Sequence, residues 1–263
     1  MMRKTTTLTT LLLLGTTLPA LADTVIKTRS YGDGEDKVMI HGDWARMESA
    51  GESDYQLFNL KTGQIHMINK EEKTIMDFDL NKSGKAAKTP ATVKVVIKKQ
   101  GKGPKVAGYP TVKYVVTANG QTCGTEFISA KAVRNKDIKK LMHASTKLVN
   151  LDSLMPQGMA AAVHAMQDPC DIAEQDLMQK ADSLGIPLKS IDSDGSVESE
   201  TTSIDTHAKL DPKLFQMPAD YRHTTMQQEM GKAMNEMQQM MQSIPPEGQE
   251  FLQNLFQGMQ QGK

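Results

Sequence analysis

Five methionines near the C-terminus, Met226, Met230, Met234, Met237 and Met241, are spaced by four, four, three and four residues, which sets them on one face of a single helix. Thioethers are soft ligands suited to Cu(I) or Ag(I) in an oxidising compartment, and His223 stands three residues before Met226. The same spacing equally serves packing or partner contact, because methionine fills irregular apolar gaps and adapts to varied surfaces. Two cysteines, Cys123 and Cys170, are the other residues with covalent chemistry open to them. A lone pair in an oxidising compartment reads most simply as one disulfide. The alternative is a reactive thiol at Cys170, which follows a helix start where the dipole lowers a thiol's pKa, although no C-x-x-C partner accompanies it.

The remaining candidates are weaker. Asp192-x-Asp194-Gly195 with Glu198 and Glu200 resembles the start of a calcium loop without its twelve-residue pattern, and a tight Asp-Gly hairpin explains it equally well. The histidines, His41, His66, His143, His164, His207 and His223, lack H-E-x-x-H spacing, and His41 and His66 could share a metal only across adjacent strands. No G-x-S-x-G elbow, phosphate-cradling glycine loop or Cys/His nucleophile pattern occurs, so the expectation is a non-enzymatic protein with no cofactor and no metal site. Lys+Arg and Asp+Glu number 31 each, a balance that argues against nucleic-acid binding.

The elements that must position these residues begin with an address. Met1-Met2-Arg3-Lys4 is a short basic region, Leu11-Leu12-Leu13-Leu14 the centre of an apolar one, and Ala20-Leu21-Ala22 a small-x-small cleavage pattern. Cleavage between Ala22 and Asp23 is expected, which makes residues 1–22 a signal peptide and the product periplasmic, soluble and not membrane-spanning. An uncleaved N-terminal anchor is the alternative, but the apolar run is short for a span of roughly 20 residues.

From Asp23 onward, short alternating segments separated by Gly, Asn and Asp turns predict an antiparallel meander. The strands are Thr24 to Arg29, Asp36 to His41, Ala45 to Glu48, Asp54 to Leu60, Gln64 to Asn69 and Lys73 to Phe78, then Ala91 to Lys99, Tyr109 to Thr117 and Thr122 to Ser129, with an Asn119-Gly120 hairpin. The tracts Asn81 to Pro90 and Lys99 to Pro104 read as mobile connections. Helices are expected over about 135–184, from an Asn135 cap, through Asp152 to Met166, and from Asp168 with Pro169 at the first position to Gly185. Strands resume at Ile186 to Ser190 and Gly195 to Ile204, and 222–263 forms a Met/Gln-rich segment of amphipathic helices broken at Pro245-Pro246.

The run His41-Gly42-Asp43-Trp44-Ala45-Arg46-Met47, Tyr55-Gln56-Leu57-Phe58-Asn59-Leu60, Gln64-Ile65-His66-Met67-Ile68-Asn69 and Lys73-Thr74-Ile75-Met76 resembles an uncharacterised family of exported bacterial proteins that carries only an unknown-function label. That family is similar in shape to the open half-barrel of the LolA/LolB lipoprotein carriers. Gly185-Ile186-Pro187-Leu188 and Leu214-Phe215-Gln216-Met217-Pro218 are similar to the closing elements of such half-barrels. The resemblance implies an α+β fold over 23–221, a curled antiparallel sheet covered by helices, and it transfers no site residues. A one-sided sheet with amphipathic helices suits a carrier of a hydrophobic, lipid-like ligand, unless the helices plug the sheet completely. An envelope protein gripped by the methionine helices is the alternative partner.

Overall fold

The computed structural model describes residues 22–30, 34–80, 93–148, 167–225, 228–229, 231–232 and 235. The meander appears as six strands, β1 (Asp23–Ser30), β2 (Glu35–His41), β3 (Trp44–Glu48), β4 (Tyr55–Asn59), β5 (Gln64–Asn69) and β6 (Thr74–Asp79). Three more, β7 (Val95–Val106), β8 (Tyr109–Ala118) and β9 (Gln121–Ser129), precede helix α1 (Lys136–Leu148). Helices α2 (Pro169–Gln179) and α3 (Ala181–Leu184) lead to β10 (Ile186–Asp192), β11 (Val197–Ala208) and the short β12 (Arg222–Thr225). All twelve strands join one open sheet in the order β12-β6-β5-β4-β3-β2-β1-β11-β10-β9-β8-β7. Every pairing is antiparallel except that of β12 with β6.

The sheet is curled. One apolar cluster contains Leu80, just past β6, and Val106 of β7, together with Ile138, Leu141 and Ala144 of α1. β6 and β7 stand ten places apart in the strand order, roughly 48 Å across a flat sheet. A thirteen-residue helix spans only about 20 Å. The sheet therefore bends around α1, and β7 comes alongside β11. The inner face is packed by the cross-strand row Thr24, Ile40, Ala45, Phe58, Ile65 and Phe78. Ile40, Ala45 and Phe58 are wholly buried there.

Local chemistry places α1 in this position. Asn135 Oδ1 accepts from the backbone N–H groups of Asp137 and Ile138, at 2.9 and 3.1 Å, and caps the helix. The Thr24 hydroxyl donates to Asp137 at 2.9 Å, and Lys140 Nζ reaches Asp43 at 2.8 Å and the Gly42 carbonyl at 3.0 Å. α1 is thus fastened to β1 and to the β2–β3 turn, where Gly42 takes φ +61°. The hydrogen bond from Lys140 holds the Asp43 carboxyl below its usual range.

The outer face of β2–β6 is covered by 209–221. Phe215, Leu210, Leu214 and Tyr221 pack on Met39, Tyr55, Leu57, Ile68 and Ile75. Arg46 donates to the Leu214 carbonyl at 2.9 Å, and Asp23 accepts from the Leu210 N–H at 2.8 Å. At the other end of the sheet, α2 packs Ala173 and Leu177 against Val116, Ala118 and Ile128. Helices cover the sheet only in part, less than the amphipathic segments suggest.

Most strand bounds fall within two or three residues of those read from the sequence. Two departures stand out. Lys99 to Pro104, expected to be a mobile connection, lies inside β7, which passes two irregularities in its pairing with β8. Pro104 is tolerated because β7 is an edge strand, and its carbonyl accepts from the Thr111 hydroxyl at 2.6 Å. β12 follows the point at which the sheet was expected to end. The expected helix from Asp152 to Met166 lies outside the described residues. Asn119 and Gly120 both take positive φ, 52° and 87°, as the Asn-Gly hairpin requires.

Phe58 and Phe78 are the largest side chains in the inner-face row, and Phe58 is 0% exposed. Phe58→Ala is expected to cost about 3–5 kcal/mol of stability, seen as a lower urea midpoint with an unchanged slope.

Candidate functional site

The residues that fill the core alternate along each strand with a second row on the same inner face. Ile26, Val38, Met47, Gln56, Met67, Met76 and Thr224 stand opposite one another across seven strands. Ile26 belongs to the core around α1, and Val38 and Met47 pack against it. Past Met47 the row leaves the core around α1. Met47, Gln56, Met67, Met76 and Thr224 line an open hollow of about 380 Å³. Met67 is 37% exposed, unusual for a large apolar side chain in the middle of a sheet.

The hollow has a mixed chemistry. Its floor presents three thioethers and the Gln56 amide. Its rim comes from the β3–β4 turn, with Ser49, Glu52 and Asp54, and from the β5–β6 turn, with Asn69 and Glu72. Both turns lie at the same end of the meander, which gathers their polar side chains beside the thioethers. The arrangement can bury an apolar group on a deformable floor and meet a polar group at its mouth.

Cys123 and Cys170 are joined as a disulfide with Cα atoms 5.3 Å apart, so Cys170 is not the reactive thiol considered as its alternative. The cap expected at Asp168 is present, with Asp171 completing the capping box. Met226, Met230, Met234, Met237 and Met241 lie outside the described residues. Ala22 is exposed and Asp23 is buried at the start of β1. Asp192 to Gly195 forms the tight β10–β11 hairpin, Gly195 taking φ +89°.

The histidines considered as a shared site go to different carboxylates. His41 Nδ1 lies 2.8 Å from Asp23, its ring stacked on Phe215. His66 Nδ1 lies 2.6 Å from Asp77, and His223 on β12 takes the other oxygen of the same carboxylate at 2.6 Å. Burial pushes the Asp77 carboxyl up, but the hydrogen bonds from His223 and His66 outweigh it and hold the group below its usual value. This bridge, missed from sequence because Asp77 and His223 are 146 residues apart, fastens β12 to the sheet. Among the described residues no group of three or more His, Cys, Asp or Glu side chains could hold a metal ion.

A second, smaller hollow of about 190 Å³ lies beside the disulfide, lined by Glu126, Asp171, Glu174, Asp192 and Glu198. Glu126 accepts from the Ser190 hydroxyl at 2.7 Å. Burial, opposed by that hydrogen bond and reinforced by Glu198 and Glu174, pushes its pKa up to about 7. Burial likewise raises Glu174.

Comparison with known proteins adds a family and a set of distant shapes. Residues 25–163 match the family described as a domain of unknown function, DUF4412. No curated protein matches the chain by sequence. Among solved structures, an uncharacterised conserved protein from Thermus thermophilus aligns at 10% identity and TM-score 0.39, over 78% of this chain and 91% of that one. PNGF-II aligns at 14% identity and TM-score 0.39, over 80% of this chain and 33% of that one. The Pseudomonas aeruginosa MucA/MucB complex supplies a third, at 12% identity and TM-score 0.35, over 78% and 58%.

The raised Glu126 has a consequence for stability. A carboxyl with a higher pKa folded than unfolded binds extra protons in the native state between about pH 4.5 and 7, so stability is highest below that window and falls as pH rises through it. The expected loss from Glu126 is about 2 kcal/mol between about pH 4.5 and 7.5, after allowing for its residual contact with water. Urea unfolding at the two pH values measures it, and Glu126→Gln removes that part of the slope.

Proposed function

The chain belongs to the DUF4412 family, and from that premise we propose a non-enzymatic, exported binding or carrier protein that holds an apolar, lipid-like ligand in the methionine-lined hollow. The observation that carries the reading is the incomplete plug. α1 fills the inner face over the row through Phe58, yet among the described residues Gln56, Met67 and Met76 of the neighbouring row lie beneath about 380 Å³ of open space. That volume lies within the usual range of small-molecule pockets. The three thioethers suit a ligand of undefined shape, because methionine has unbranched, flexible geometry and a polarisable sulfur. Gln56 offers one amide to orient a polar group.

Export rests on the basic Arg3-Lys4, the leucine run and Ala20-Leu21-Ala22, and the disulfide agrees with an oxidising compartment. Among the described residues no helix is long and apolar enough to cross a membrane.

Native mass spectrometry and lipid extraction of the purified protein test the reading. An apolar adduct is expected on the wild type, lost on Met67→Trp, which fills the hollow from a half-open position, while the melting temperature stays within a few degrees. A wild-type protein repeatedly free of any adduct, or an adduct indifferent to Met67→Trp, rejects it.

A further inference from the structure

We propose that the hollow selects a cationic amphiphile, a small molecule whose apolar chain lies on Met47, Met67 and Met76 and whose positively charged head is held by Glu52, Asp54 and Glu72. The inference rests on the reading of the hollow as a ligand site and adds the charge of the ligand.

The charge distribution is one-sided. Among the described residues that line the hollow, four are acidic, Glu52, Asp54, Glu72 and Glu229, and none is Lys, Arg or His. The nearest bases are engaged elsewhere. Arg46 lies 3.5 Å over the Tyr55 ring and bonds Glu48 at 2.7 Å, Lys37 lies 3.7 Å from Glu48, and Lys70 Nζ lies 5.3 Å from the Tyr55 ring centre. Arg46 and Glu48 flank Met47 on β3 and so point to the opposite face of the sheet from it. Among the described residues, no ion pair uses Glu52, Asp54 or Glu72.

Asp54 is held in place without being neutralised, since it accepts from the Lys70 backbone N–H at 2.9 Å and from the Ser53 hydroxyl at 3.3 Å. Among the described residues the hollow itself is lined by acids and no base, directly beside an apolar floor, while Lys37, Arg46 and Lys70 line a neighbouring hollow that Glu52 and Asp54 share. A fatty-acid anion on that floor would place its carboxylate among like charges. A cationic head gains the same field with the opposite sign, and a neutral head gains nothing from it.

Three probes with a common dodecyl tail separate these cases: dodecyltrimethylammonium, dodecyl maltoside and dodecyl sulfate, each titrated calorimetrically into the full chain below its micellar concentration. At low salt the cationic probe is expected to bind about five- to ten-fold more tightly than the maltoside, and the sulfate more weakly than either. The gap should narrow as salt rises. In a variant carrying E52Q, D54N and E72Q the three affinities should converge. Equal affinities in the wild type, or a gap that survives in the triple variant, overturn the charge preference. If maltoside binding is also indifferent to Met67→Trp, or no probe binds saturably, the ligand-site reading falls with it.

Discussion

The contact on which the rest of the molecule depends is the seating of α1 against the inner face of the sheet. Twelve strands in one open sheet would twist and spread, leaving two long apolar faces to water. Ile138, Leu141 and Ala144 offer a short apolar stripe that both ends of the strand order can reach only if the sheet curls. The curl turns one face into an interior. It also sets how much of that interior is filled, because the helix starts at the Asn135 cap and is tied down at Asp43 and Thr24. A plug fixed at these points packs the row through Phe58 and only the Ile26, Val38 and Met47 end of the row through Gln56.

The outer face is closed by a different device. Segment 209–221 has little regular structure, yet it is held by polar contacts to the sheet, Asp23 to the Leu210 N–H and Arg46 to the Leu214 carbonyl. Beside these contacts, Leu210, Leu214 and Phe215 reach the outer cluster. Arg46 is a costly residue to bury in a sheet face, but its guanidinium meets Glu48, a carbonyl and the Tyr55 ring together. With that face covered and the far end packed under α2, the thioether row lines an open hollow on the inner face.

How far the sequence reveals this depends on the range of the interaction. Alternating residues and turn dipeptides are local signals, so β1 to β6, the Asn119-Gly120 hairpin and the Asp168 capping box are readable from neighbouring residues alone. The far half of β7 is not, because Lys99 to Pro104 carries glycines, lysines and a proline, a composition that marks a loop except on an edge strand. β12 is four residues long, and its pairing with β6 is parallel, so no turn announces it. The methionines that line the hollow are legible as strand residues. Their meeting follows from three successive registers, Met47 with Gln56, Gln56 with Met67 and Met67 with Met76, and a one-residue slip in any of them would scatter the set to opposite faces. The evenly spaced methionines of the C-terminal segment stand out because helical periodicity is legible in one dimension, whereas a row across strands is not.

The hollow also marks where local consistency gives way. Several polar side chains on the sheet are matched: Asp77 serves two histidines, Asp23 a histidine and a backbone N–H, and Lys189 pairs with Glu200. At the rim acidic side chains gather, as they also do around Glu126, and at the floor a methionine stands open to solvent. Neither feature stabilises the chain. A base at position 52 or 72 would relieve the repulsion, and a polar residue at 67 would remove the exposed apolar surface, both at no cost to the strands. Two departures from economical folding that coincide within one hollow on the inner face of the sheet are explained together by a ligand that brings its own apolar surface and its own positive charge.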